Sequence, residues 1–271
     1  MRPHPEVSPA SLLDTAIRAA RAAGGHALAN RHRKNETVLV AAHDVKLKLD
    51  LECQDIAEGL VRAAFPHHAI LAEESADKGL MEDNPHDSPY TWIIDPIDGT
   101  VNFTHGLPWW CCSVGVNFKG TTVAGAVYAP MTDELFTDYR GGAACCNGQT
   151  LAVSGVKTMK ESMILTGLDQ KINTTMPRLA LFRELADHVQ KARVMGSAAL
   201  DLCRVASGQC EGYFEAGIYT WDITAAGLIV EMAGGSAETL ARSEHHRLMY
   251  MASNGSIHDE FKAFLTARIQ P

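Results

Sequence analysis

The sequence predicts an α+β protein of layered sheets and helices, and three observations carry that prediction. The chain opens on segments of helical period, changes to a block of strand-period segments from Tyr90 to about Arg140, and alternates helix and strand after about Asn147-Gly148. No internal repeat, low-complexity tract or linker interrupts it. The expectation is therefore one domain over residues 1–271, with sub-lobes at 1–150 (mixed, with an antiparallel sheet) and 151–271 (alternating). A chain of 271 residues can bury a core of that size.

Ser8-Pro9 opens the first helix, with serine as N-cap, proline at the first helical position, and Leu12, Leu13, Ala16, Ile17 and Ala20 at helical spacing. A second helix runs from about Asp50, with Leu49, Cys53, Ile56, Leu60 and Ala64 on one face. It stops at Phe65-Pro66, because proline disfavours helix in the residue before it. HAILAEES is a short strand running into acids, and the polar stretch 75–90, with its glycine and prolines, is a mobile loop. YTWIID, CSVGVNFKG, TVAGAVYAP and ELFTDYRGG follow as strands, the last three separated by KGTT and PMTD turns. A helix near Met176 to His188 precedes the strand ARVM. Gly196-Ser197 opens the helix AALDLCRVASG, EGYFEA is a strand, and Trp221-Asp222 opens ITAAGLIVEMAGG. LMYMASN is the last strand, and Ser256 with Asp259 gives the final helix a capping-box-like start.

Hydrophobic residues make up 46% and charged residues 21%, a globular composition, and the net charge of −8 offers no basic surface for nucleic acid. An acidic protein that binds a phosphorylated ligand needs cations to supply the attraction. Seven cysteines include the adjacent pairs Cys111-Cys112 and Cys145-Cys146, without the paired CxxC spacing of a zinc site. Thiols in apolar surroundings fit a reducing compartment. With no signal-like N-terminus and no apolar run near eighteen residues, a soluble cytoplasmic protein without membrane contact is expected.

The chemistry concentrates in WIIDPIDGTVNFTHG, residues 92–106, where Asp95 and Asp98 stand three apart at the end of an apolar strand. Turn formation is one account, since Asp-Pro starts turns and Asp-Gly completes them. The other is a cation: two carboxylates aimed into one space repel unless something positive lies between them. Glu73-Glu74 ends a second apolar strand in the same way, and hard divalent ions such as Mg²⁺ take carboxylate and carbonyl oxygens. Thr100 offers a hydroxyl and, with Gly99, backbone amides for a phosphate. Asp222 and Asp50 sit at helix starts, where N-capping is the ordinary reading, and Glu215 ends a strand, where a solvated residue is. His67-His68 and His245-His246 are expected on the surface, His105 beside the acidic turn without a role, and Leu228, Ile229 and Met232 on a core face.

With these residues in hand, the sequence resembles the inositol monophosphatase family of lithium-sensitive, magnesium-dependent phosphatases. Three ordered blocks carry the likeness: WIIDPIDGTVNF without a departure, LAEES with Ala72 in place of a glycine, and YTWDITAAGLIVEMAGG with Met232 disturbing the register of an acid-alanine pair. GSAALDLCRVASGQCEGYFEAG and ELFTDYRGGAACCNG share the family's look, so the likeness spans roughly residues 10 to 265. It implies a layered α-β-α-β-α sandwich and a homodimer. It also implies a first Mg²⁺ on Glu73, Asp95 and the carbonyl of Ile97, a second on Asp95, Asp98 and Asp222, and a third, weaker one near Glu73, with Mn²⁺ accepting similar ligands. Thr100 with Asp50 would orient the attacking water, the Gly99 and Thr100 amides would bind phosphate, and Ala198 and Glu215 would meet the inositol hydroxyls. Two stretches depart from the family: KLKLDLECQ, with Leu47 and Gln54 around Asp50, and TGLDQKINTTMP, which shapes the substrate pocket.

The resulting expectation is hydrolysis of a small phosphate monoester by metal-activated water, without a phosphoenzyme. Inositol-1-phosphate comes first, because Glu215 can accept from ring hydroxyls and is unwelcome beside a second phosphate. Histidinol phosphate, fructose-1,6-bisphosphate and 3′(2′),5′-bisphosphate nucleotides are the alternatives within the class. A regulatory binding protein on the same fold is the alternative outside it.

Overall fold

The computed structural model describes residues 7–41, 44–76, 87–168, 178–244 and 246–269. Helix α1 (Pro9–Ala29) begins as its sequence predicts, the Ser8 hydroxyl oxygen accepting the Ser11 amide at 3.3 Å. Its alanine-rich face (Ala16, Ala19, Ala20, Ala23, Ala27) is buried, and such small side chains let a helix lie close to a sheet. Strands β1 (Thr37–Ala41) and β2 (Asp44–Leu47) form an antiparallel hairpin that the sequence did not announce. Helix α2 (Lys48–Ala64) follows, ending at Phe65 before Pro66.

Strand β3 (Ala69–Ala72) runs into the one-turn helix α3 (Glu73–Ala76), so the acids after the strand open a helix. The loop expected at 75–90 lies largely outside the described residues. Strand β4 (Tyr90–Asp98) is parallel to β3, and α4 (Thr100–His105) follows at once. Strands β5 (Cys111–Phe118), β6 (Thr121–Ala129) and β7 (Glu134–Tyr139), with the two-residue β8 (Cys145–Cys146) and β9 (Gln149–Thr150), complete a seven-stranded sheet in the order β3-β4-β5-β6-β7-β8-β9.

Then come β10 (Met163–Thr166), α5 (Arg178–His188), β11 (Lys191–Arg193), α6 (Ala198–Ala206), β12 (Gly212–Tyr219), α7 (Thr220–Met232), β13 (Ser236–Arg242), β14 (Arg247–Ser253) and α8 (His258–Thr266). Their strands form a five-stranded sheet, order β11-β10-β12-β14-β13. The final helix starts later than its capping-box signal suggests: Ile257 stands at the cap, and the side-chain oxygen of Asn254 accepts its amide, so Ser256 has no capping role.

Three apolar clusters define the layers. One joins α1 and α2 to the seven-stranded sheet; a second surrounds α6 and α7 between the two sheets; a third joins α5 and α8 to the outer face of the five-stranded sheet. This is the α-β-α-β-α sandwich that the resemblance implies. Five of the seven cysteines (Cys53, Cys111, Cys112, Cys203, Cys210) are buried, and all seven are free. His68 departs from expectation: half-buried, it stacks between Phe65 and Tyr90 and accepts the Trp92 indole N–H at 3.1 Å. His67 and His246 are exposed, and His245 lies outside the described residues. Among the described residues no helix is long and apolar enough to cross a membrane.

The central layer depends on two glycines that face each other across β5 and β6, Gly115 and Gly125. A Cβ on Gly125 would lie 2.8 Å from the Cα of Ala225, and one on Gly115 would lie 2.6 Å from Cγ2 of Thr224. Without Cβ atoms there, α7 rests directly on the sheet backbone. Residues Trp221 and Thr224 to Val230 of that helix are buried.

Candidate active site

The end of β4, the start of α3 after β3, and the first turn of α7 deliver the acids. In a regular strand, residues three apart point to opposite faces, so Asp95 and Asp98 should not meet. Pro96 has no N–H for the ladder, and the pairing of β4 with β5 shifts register between Asp95 and Asp98. That irregularity turns both carboxylates to one side. Asp222, in the first turn of α7, completes the group: Asp95, Asp98 and Asp222 each offer an oxygen, and these atoms all lie within 4.8 Å of one another.

Each acid is held by its own element. The Asp222 carboxylate accepts the Tyr219 amide at 2.8 Å, reaching back over the start of α7. Asp98 is fixed by the beginning of α6, accepting the Ser197 hydroxyl at 2.6 Å and the Ala199 and Ala198 amides at 2.8 and 3.3 Å. Asp95 is 1% exposed, and its Oδ1 has no hydrogen-bond partner among the described residues. Glu73, at the start of α3, lines the same cleft of about 410 Å³.

Burial pushes the carboxyl groups of Glu73, Asp95 and Asp222 well above the usual range, and neighbouring carboxylates push the same way. Asp98 is raised less, since burial there is opposed by the Ser197 hydroxyl and the two α6 amides. So much negative charge with an orphaned buried oxygen fits a hard divalent cation, for which an all-oxygen donor set is the right chemistry.

The other expected residues fall as follows. Ile97, Gly99, Thr100, Ala198 and Glu215 line the cleft. Gly99 is left-handed at φ 92°, and the Thr100 hydroxyl donates to the Ile97 carbonyl at 2.9 Å. Glu215 accepts the Tyr213 hydroxyl at 2.5 Å. Gly167 makes room for it, because a Cβ there would fall 1.8 Å from its Oε1. Asp50 is buried near Glu73 but does not line the cleft; its Oδ2 accepts the Leu47 amide at 2.7 Å, as Asp222 does for Tyr219. His105 is exposed at the end of α4 and takes no part in the lining.

Sequence reasoning missed Asp201, Ser197 and Thr166, which also line the cleft. No sequence signal marks Asp201: it is the lone acid in AALDLCRVA, and only the structure shows that helix to be buried along its whole length.

Comparison with known proteins shows what the whole chain is similar to. A sequence model of the inositol monophosphatase family matches residues 8–270. The chain is 40% identical over 227 residues to the Nus factor SuhB of Pasteurella multocida, covering 83% of each protein, and 35% identical over 211 residues to inositol monophosphatase 1 of Bos taurus, covering 76% of this chain and 74% of that one. Among solved structures it is similar to inositol monophosphatase from Anabaena (Nostoc) sp. PCC 7120, with a TM-score of 0.82, 34% identity and 97% of each chain covered.

Proposed function

The chain belongs to the inositol monophosphatase family, and from that premise we propose that it is a divalent-metal-dependent phosphatase of small phosphate monoesters, acting first on inositol-1-phosphate. The observation that carries the reading is the convergence of Asp95, Asp98 and Asp222 around an orphaned, buried Asp95 oxygen. These three, with Glu73 and the Ile97 carbonyl, are the residues that would hold Mg²⁺. When bound, the cation supplies charge neutralisation and Lewis acidity at the phosphate.

The chain's own groups do the rest. Gly99 and Thr100 present backbone amides to the phosphate oxygens at the start of α4. Thr100 orients the attacking water in line with the leaving oxygen, while Asp50, outside the cleft lining, acts only through its interaction with Glu73. Ser197 and the α6 amides keep Asp98 from turning away. Glu215, braced by Tyr213, accepts from the hydroxyls of the departing alcohol.

Phosphate release from inositol-1-phosphate, histidinol phosphate, fructose-1,6-bisphosphate, adenosine 3′,5′-bisphosphate and NADP, with Mg²⁺ and with EDTA, tests the reading. Preference for inositol-1-phosphate that EDTA abolishes supports it. Preference for another member keeps the chemistry and overturns the assignment of Glu215, and no Mg²⁺-dependent release from any of them sinks the proposal. A regulatory role is the second reading, favoured by the likeness to a protein named a Nus factor. It predicts that Asp95→Asn leaves the protein's cellular function intact.

A further inference from the structure

Asp201 is buried in a place that ordinary packing does not explain. It is 1% exposed, yet it lines the cleft, one helical turn beyond Ala198 on the same face of α6. Its Oδ1 accepts the Trp109 indole N–H at 2.9 Å, while no partner for its Oδ2 is found among the described residues. The bond to Trp109 also fixes the orientation of the carboxylate. Trp109 lies under the guanidinium of Arg204, 5.0 Å from its ring centre, and Arg204 is held by two bonds to Glu134, at 2.8 and 2.6 Å. A carboxylate braced this firmly, with an oxygen left over beside a cavity, is set to accept from something that enters the cavity.

Glu215 is its neighbour on the cleft wall; burial first, then the charges of Asp98 and Glu215, push the Asp201 carboxyl well above the usual range. The wall formed by α6 and β12 thus carries two acceptors, and the acids at the end of β4 and the start of α7 form a separate group. We propose that Asp201 is a specificity-determining residue that, with Glu215, selects a leaving alcohol bearing hydroxyl donors on neighbouring carbons, as in a cyclitol phosphate, over a plain aryl or alkyl phosphate. The proposal rests on the phosphatase reading for its activity test and on binding alone for its second test.

Asp201→Asn keeps the size and the Trp109 bond but replaces the free acceptor. Its effect on kcat/KM is measured with inositol-1-phosphate and with phenyl phosphate, which has no hydroxyl to offer. A substrate hydroxyl left without its acceptor in the buried cleft gives an expected loss about fivefold to a hundredfold greater for inositol-1-phosphate, mostly in KM. Trp109→Phe, which frees the carboxylate to rotate, shows the same selective loss on a smaller scale. Equal losses on both substrates, or no loss on either, overturn the proposal. Calorimetric binding of the same two ligands in Ca²⁺ separates it from the phosphatase reading. If the wild type turns over neither ligand but Asp201→Asn still weakens inositol-1-phosphate binding selectively, the reaction fails and the role of Asp201 stands. If binding shows no selective loss, Asp201 has no such role.

Discussion

The contact between α7 and the glycine pair makes the position of Asp222 depend on residues remote from the cleft, and Gly125→Ala tests that dependence. The added Cβ would meet the Cα, Cβ and carbonyl oxygen of Ala225 at 2.8, 3.0 and 3.1 Å. These are backbone or backbone-attached atoms that no rotamer change can move. Carbon atoms pack at about 3.5–4.0 Å, so helix and sheet must separate by roughly 1 Å. Asp222 stands one turn before Ala225 on the same helix, whereas Asp95 and Asp98 stay with the sheet, so the gap opens within the metal-binding group.

Overpacking of this kind costs about 1–3 kcal/mol of stability, and a 1 Å displacement of catalytic groups costs about a hundredfold in rate. The assay is Mg²⁺-dependent phosphate release, with thermal unfolding in EDTA alongside. The expected variant melts a few degrees lower, needs more Mg²⁺ and turns over far more slowly. Gly59→Ala is the control, because a Cβ on Gly59 in the middle of α2 meets nothing within 4 Å. It should stabilise by about 0.5–1 kcal/mol through helix propensity and leave Mg²⁺ dependence alone. A Gly125→Ala protein that loses stability but keeps wild-type Mg²⁺ dependence and rate would refute the coupling.

Asp138 on β7 is 1% exposed, its Oδ2 has no partner among the described residues, and burial pushes its carboxyl up to about 6. Because the folded value lies above the unfolded value of about 3.9, the folded state holds its proton longer, and stability falls as pH rises from about 4 to about 6. The loss, about 3 kcal/mol, should vanish in Asp138→Asn, so urea unfolding should show the variant more stable than wild type at pH 7 and similar at pH 4; equal slopes with pH would contradict this. Gly167→Ala should displace the Glu215 carboxylate and raise KM for inositol-1-phosphate at least tenfold while sparing Mg²⁺ dependence. An unchanged KM would show that Glu215 does not meet substrate.

Elements with strong local signals were legible in the sequence. Ser8-Pro9 and Phe65-Pro66 bound helices because capping and proline sterics act on neighbouring residues. The strands from Tyr90 to Tyr139 show as apolar runs with turn residues between them. The hairpin of β1 and β2 did not, because no glycine or proline stands in the sequence between Ala41 and Asp44. Strand β13, half-buried along nearly its whole length at the edge of its sheet, has no in-and-out alternation to detect. At the site, adjacent acids after apolar strands drew attention to Glu73, Asp95 and Asp98. Asp222 and Asp50 each accept a backbone amide at a helix start, so an ordinary capping role and a place beside the cleft look alike in one dimension. Asp201 was hidden for a different reason: an acid within a helix reads as solvent-facing until tertiary packing shows that helix to be buried all round.

The location of α7 also bears on how fast the site could exchange its contents. Its backbone amides lie between two sheets, so opening them requires the sheets to part, and their hydrogen exchange should follow global unfolding. Asp222 sits in the first turn of that protected helix. A cation there would depart through the mouth of the cleft over a folded protein, on its own dissociation timescale, long before the helix beneath it had opened once.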